Sequence, residues 1–94
     1  VRYVISVAMF YVYILKSSID QELYVGSTSD LRRRLREHQA GRSFSTSFRR
    51  PFALIYYEAY RNEDDCRARE QKLKLRGQAR RHLLDRIILS IKGK

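Results

Sequence analysis

FYVYILKSSIDQELYVG, residues 10–26, is the stretch from which the fold can be read. Phe10-Tyr11-Val12-Tyr13-Ile14-Leu15 is built from aromatic and β-branched side chains, as is Leu23-Tyr24-Val25, and the polar run Ser17 to Glu22 lies between them. Side chains of the first kind suit a pleated surface and polar residues suit a turn, so the pattern predicts a β-hairpin.

Downstream of Gly26, the residues Thr28, Ser29 and Asp30 offer side-chain oxygens that can cap a helix running to about Ala40, where Gly41 ends it. Arg42 to Arg50 has no periodicity and reads as a surface loop, after which Pro51 opens a third strand, Phe52 to Tyr60. Asn62, Asp64 and Asp65 mark the start of a second helix, with acidic groups where the positive end of the helix dipole favours them, and Gly77 interrupts it. Ala79, Leu83, Leu84, Ile87, Ile88 and Ile91 then follow the spacing of an amphipathic helix packed on a core. The order β-β-α-β-α-α predicts an α+β domain, a small three-stranded antiparallel sheet flanked by helices.

Upstream, Arg2 precedes an apolar run reaching Leu15, which raises the question of a signal peptide. Tyr3, Tyr11 and Tyr13 interleave with Val and Ile, and no small-residue cleavage site follows, so a strand explains the run better. It also falls short of the roughly 20 apolar residues needed to span a membrane. Met9 is the sole methionine and a candidate natural start, which leaves residues 1–9 as an N-terminal extension to a core at about residues 10–84. The 94 residues fit a single domain.

Charge narrows the partner. Lys and Arg number 20 against 10 Asp and Glu, a formal charge of +10 that favours a polyanion, and nucleic acid ahead of an acidic membrane surface. Cys66 is the only cysteine, which excludes an intrachain disulfide and a thiolate zinc cluster and fits a reducing, cytoplasmic setting.

Two polar residues break otherwise apolar helix stripes. In the first helix Leu31, Arg34, Leu35 and His38 fall at i, i+3, i+4 and i+7, which sets a guanidinium among core-facing leucines. Burying it partly costs free energy unless an anion or acceptor meets it. Arg32, Arg33, Arg36 and Glu37 point elsewhere and form a solvated face that attracts phosphate. In the second helix Cys66, Glu70, Leu73 and Gly77 share a stripe in which Glu70 is the single carboxylate. Either Glu70 pairs with Arg34 and ties the helices together, or it binds a metal ion or takes part in chemistry.

These residues carry a family resemblance. Tyr11-Val12-Tyr13 and Tyr24-Val25-Gly26 resemble the paired tripeptides that name the GIY-YIG endonucleases. Ser27 to His38 looks like that family's glycine turn, capped helix, catalytic arginine and following histidine. Arg69-Glu70-Gln71-Lys72-Leu73-Lys74 is similar to its glutamate helix, and Arg49-Arg50-Pro51-Phe52 and Tyr56-Tyr57-Glu58 resemble small single-domain relatives of the nuclease domain of the bacterial excision-repair excinuclease. Tyr11 replaces the name-giving glycine, and Val12 and Val25 replace isoleucines.

The resemblance implies metal-dependent hydrolysis of phosphodiester bonds, in DNA ahead of RNA and in repair or recombination. Arg34 would bind the phosphoryl group with two N–H donors, and Glu70 would hold one divalent ion, Mg2+ or Mn2+, at the leaving oxygen. Tyr13 would take the proton of the attacking water, with its pKa lowered by nearby cations; Tyr24 would bond to phosphate or water. His38 would relay a proton or orient Tyr24, or is a satisfied core histidine. Arg33, Arg42, Thr46, Arg49, Arg50 and Lys74 would contact nucleic acid, and the Arg42 to Arg50 loop, with Phe44 and Phe48, suits holding phosphates and stacking a base. The alternative is a DNA- or RNA-binding module or accessory subunit that uses the same groove without cutting, and a third possibility is a structural or interaction protein.

Overall fold

Residues 8–93 are described by a computed structural model. Residues 1–7 lie outside the described residues, and with them most of the expected N-terminal extension.

The hairpin forms as the residue pattern predicts. Strand β1 (Phe10–Ser17) pairs antiparallel with β2 (Leu23–Thr28), Tyr13 facing Gly26 and Ile14 facing Val25. Strand β3 (Phe52–Tyr60) pairs antiparallel on the other edge of β1, so the order is β2-β1-β3 with the register interrupted between Ile14 and Leu15. Among the described residues there are four α-helices: α1 (Leu31–Gln39) follows the hairpin, and α2 (Glu63–Lys74), α3 (Gln78–Arg86) and α4 (Ile88–Lys92) follow β3. This is the expected α+β architecture, with one addition and one correction.

The addition lies in the Arg42 to Arg50 loop, which contains a 3-10 turn at Ser47–Arg49 and buries Ser43 and Thr46. A wholly surface loop was expected; instead two of its hydroxyls turn inward, where their hydrogen bonds offset the cost of leaving water. The correction concerns the last helix. Ile87, at φ −109 and ψ 26, receives the end of α3 and changes the phase of the turn that follows. Leu83 is therefore 2% exposed, whereas Ile88 is 44% exposed and does not pack on the core as its spacing suggested. No helix of the described residues is long and apolar enough to cross a membrane.

Alternation along β1 divides the molecule into two layers, because successive side chains leave opposite faces of a strand. Val12 and Ile14 meet Val25, Cys66, Leu73 and Leu83 on the side covered by α2 and α3. Tyr13 and Leu15 meet Phe52, Leu31 and Leu35 on the side covered by α1. Each fully buried aliphatic side chain contributes about 1.5–3 kcal/mol relative to its exposed state.

Caps fix where the helices begin. Asp30 accepts the Arg33 backbone N–H and opens α1; Asn62 accepts from Asp64 and Asp65 and opens α2, whose first turn carries Glu63, Asp64 and Asp65. Gly41 leaves α1 at φ +76, a left-handed conformation that glycine adopts without steric cost.

A partly buried carboxylate, Glu58, ties β3 to α2. Arg69 donates to both oxygens of Glu58 at 2.9–3.2 Å, and the Tyr56 and Tyr60 hydroxyls donate to them as well. Burial alone would raise the Glu58 carboxyl, but these donors outweigh it and hold it below its ordinary 4.5. Burial first, and then the carboxylate itself, push both phenols up to about 12, so they remain donors. Removing the carboxylate strands a half-buried guanidinium, so Glu58→Ala is expected to cost about 3 kcal/mol, read from a denaturant melt. The sign with pH follows from the depressed carboxyl. The contribution is present above the ordinary carboxylate value and is lost as pH falls through the lower folded value, so the wild-type and variant curves should converge in acid.

Candidate active site

The α1 face of the sheet holds a line of polar groups inside an otherwise aromatic layer. His38, the last inward residue of α1, is fully buried, and its Nε2 lies 2.8 Å from the Tyr13 hydroxyl. Its Nδ1 lies 2.8 Å from Thr46 Oγ1, and the Thr46 hydroxyl donates to the Ser43 carbonyl at 3.3 Å. With Thr46 donating to that carbonyl, the tautomer that satisfies the set has Nδ1–H donating to Thr46 and Nε2 accepting from Tyr13.

Both titratable members of this chain are tuned by burial. Burial raises the Tyr13 phenol to about 12, and the charges of Tyr24 and Glu70 add to the rise. Arg34 pulls it down, as expected of a nearby cation, but burial outweighs that pull, with Tyr13 1% exposed. Burial and the positive charge of Arg34 lower the His38 imidazole, so at neutral pH it is an uncharged acceptor. Tyr24 packs edge-on against the His38 ring, centroids 5.2 Å apart, and beside Tyr13 at 6.3 Å.

Gly26 is the reason the phenol can lie where it does. A methyl group there would sit 2.5 Å from the Tyr13 hydroxyl and 3.0 Å from the Tyr24 ring. The glycine of the Tyr24-Val25-Gly26 tripeptide lies within β2, where it is a steric requirement of the site.

Arg34 finds its anion within its own helix. Its Nη1 donates to Glu37 at 2.9 Å and its Nη2 to Ser43 at 3.3 Å, leaving the side chain 30% exposed. Glu37 therefore belongs to the site and not to the outward face where the helix pattern put it; its position three residues on, one turn away, was the available signal. Glu70 is satisfied separately. Ser27 donates to one oxygen at 2.7 Å, Lys74 pairs with the other at 2.9 Å, and the side chain is 13% exposed. The direct Glu70–Arg34 ion pair is thus not the arrangement adopted. Ser27 lies two residues beyond Val25 on the face toward α2, a parity that the strand pattern contains.

The donor set fits a hard cation. No group of three or more His, Cys, Asp or Glu is placed for a metal among the described residues. Glu70, on the α2 side of the sheet with Ser27 and Lys74 on its two oxygens, offers a single carboxylate, which suits only a divalent ion that keeps several waters and takes its remaining ligands from phosphate.

Tyr13, Tyr24 and His38 are in contact and Arg34 joins them through Ser43, whereas Glu70 is held by Ser27 and Lys74. Of the expected nucleic-acid contacts, Arg33, Arg42 and Arg50 lie on the outside, and Lys74 is half exposed while paired with Glu70. Thr46 is not among them: it is 0% exposed and holds His38. Arg49 pairs with Asp20 at 2.9 Å and stacks over Phe52, so its charge serves the fold. Ser43, which steadies Arg34, had no signal in an aperiodic loop.

The model of the GIY-YIG catalytic domain matches residues 9–82 of this chain. A UPF0213 protein of Streptococcus pyogenes serotype M3 is 37% identical over 67 residues, which cover 70% of this chain and 72% of that protein. One from Haloquadratum walsbyi is 40% identical over 65 residues, 68% and 72% of the two chains. The solution NMR structure of a UPF0213 protein from Bacillus halodurans superimposes with a TM-score of 0.51 at 30% identity over 81% of each chain.

Proposed function

Because the chain belongs to the GIY-YIG family of nuclease domains, we propose that it is a metal-dependent endonuclease that hydrolyses phosphodiester bonds, in DNA ahead of RNA. The observation that carries this reading is the directed chain from Tyr13 through His38 to Thr46, set beside Arg34 and within electrostatic reach of Glu70.

A phenol held at about 12 is a poor base on its own. Its proton, however, already points at a neutral imidazole. Tyr13 can accept a proton from water as it passes its own to His38 Nε2, so no free phenolate has to form. The imidazolium so formed stays bonded through Nδ1–H to Thr46. Arg34 exchanges part of its bond to Glu37 for a phosphate oxygen, with Ser43 keeping the fork oriented. Tyr24, half-buried at the edge of the layer, donates to the phosphate, and Lys74 leaves Glu70 to meet the next phosphate along the strand. Glu70 would hold the divalent ion, Mg2+ or Mn2+, whose charge stabilises the leaving oxygen.

Outside the centre, the positive charge of Arg33, Arg42 and Arg50 supplies affinity without sequence information. Resemblance to the excision-repair nuclease domain supports a role in repair or recombination, and the single buried thiol of Cys66 supports a cytoplasmic setting.

With Mg2+ or Mn2+, purified protein is expected to cut at least one of a panel of duplex, branched and single-stranded DNA and RNA. A chelator should stop cutting, and Glu70→Gln should slow it by at least about a hundredfold. Retention of nucleic-acid binding with no cutting across the panel would replace this reading with the non-catalytic binding module.

A further inference from the structure

Phe44 is 85% exposed and Phe48 81% exposed, and both sit in the short loop between Arg42 and Arg50. Their rings stand edge to face with centroids 6.4 Å apart and planes at 83°. Single exposed apolar residues are ordinary on protein surfaces, but a paired, nearly naked set forgoes about 1.5–3 kcal/mol of burial per ring. The loop does not hold them out by being loose. Thr46 N–H donates to the Ser43 carbonyl at 3.1 Å, Arg49 N–H to the Thr46 carbonyl at 3.0 Å, and Ser47 Oγ to the Phe44 carbonyl at 3.2 Å.

The same loop is anchored to the active face at two points. Ser43, next to Phe44, meets Arg34, and Thr46, between the two phenylalanines, meets His38. Exposed Arg42 and Arg50 bound the loop at its two ends, so the apolar π-faces lie on a cationic segment of chain. A nucleobase attached to a phosphate chain complements both parts, and in a fully paired duplex its face is already stacked on its neighbours.

We propose that Phe44 and Phe48 form a base-stacking slot that engages unpaired nucleotides next to the phosphate held at Arg34, giving the protein its preference for single-stranded or locally opened nucleic acid. Cutting at that phosphate rests on the nuclease reading; stacking does not. A base stacked on Phe44 would set the strand's register against Arg34 through Ser43, and one on Phe48 would extend it. Because both rings are exposed, their removal should leave the melting temperature unchanged.

The test separates the two claims. Binding of oligothymidylate, oligouridylate and a blunt DNA duplex is measured by anisotropy without divalent ions, so that no strand is cut. Phe44→Ala and Phe48→Ala are each expected to weaken binding of one or both single strands by about tenfold while changing duplex binding by less than about twofold. Leucine at either position keeps apolar bulk but no π-face and should bind as weakly as alanine. Equal losses on single strand and duplex, no loss on either single strand, or rescue by leucine would each overturn the slot. With Mg2+ present, the ratio of single-strand to duplex cleavage should fall by the same factor. A wild-type protein that binds through the rings but cuts nothing would leave the slot standing and remove only the nuclease reading.

Discussion

Arg34→Ala is expected to lower phosphodiester cleavage by about a hundred- to a thousandfold while leaving the fold in place. That is the usual loss when one preorganised donor to developing negative charge is removed. The guanidinium is oriented before substrate arrives, by Glu37 at 2.9 Å and Ser43 at 3.3 Å, so it offers a set geometry and not merely a positive charge. Its side chain is 30% exposed and its pair with Glu37 lies within one helix, so losing the pair should change stability by less than about 1 kcal/mol. Arg34→Lys keeps the charge without the fork and should recover only a minor part of the rate. The measurement is single-turnover cleavage with a melt of each variant. A cleavage rate within about threefold of wild type would remove Arg34 from the transition state, since even one charge-assisted hydrogen bond is worth more.

Gly26→Ala should show the second large effect, and in both stability and cleavage. The added carbon would lie 2.5 Å from the Tyr13 hydroxyl and 2.6 Å from the ring carbon bearing it. Tyr13 cannot move aside cheaply, because it is on the central strand and packed beneath α1. Overpacking of this kind costs about 1–3 kcal/mol, which for a domain of this size lowers the melting temperature by roughly 5–15 °C. Whatever shift relieves the clash pulls the phenol off His38 Nε2 and breaks the proton route. Cleavage below the new melting temperature should therefore fall by about a hundredfold or more, within the range of a lost general base. An alanine variant that melts and cuts like wild type would mean that the phenol does not lie over this glycine.

The two sites differ in how far they can be read from sequence. Phe52 to Tyr60 and the Asn62 cap were legible because strand propensity and capping chemistry are local. Arg34 and Glu70 were marked by polarity within apolar stripes, which also follows from one helix at a time. Their partners were not legible. Whether Glu70 meets Arg34 or Ser27 depends on how α2 sits across the sheet, and the clash at Gly26 depends on the register that sets it opposite Tyr13. Thr46 and Ser43 turn inward for the same nonlocal reason: the buried imidazole and the half-buried guanidinium create a demand for hydroxyls that no periodicity in the loop records. The break at Ile87 was hidden because its apolar neighbours keep helical spacing through it.

On β1, Tyr13 and Ile14 are successive residues facing opposite sides of the sheet, one toward His38 and the other into the core with Leu73 and Leu83. The working face and the structural face are thus two sides of one ribbon. Loosening the ribbon to admit unfamiliar substrates would also loosen the packing beneath it, so a half-melted but still active form has no place to exist. For the proposed nuclease, loss of packing beneath β1 is therefore expected to remove cutting together with the fold. Room for change is left to the tethered loop at the rim, where side chains can be exchanged without disturbing either side of the strand.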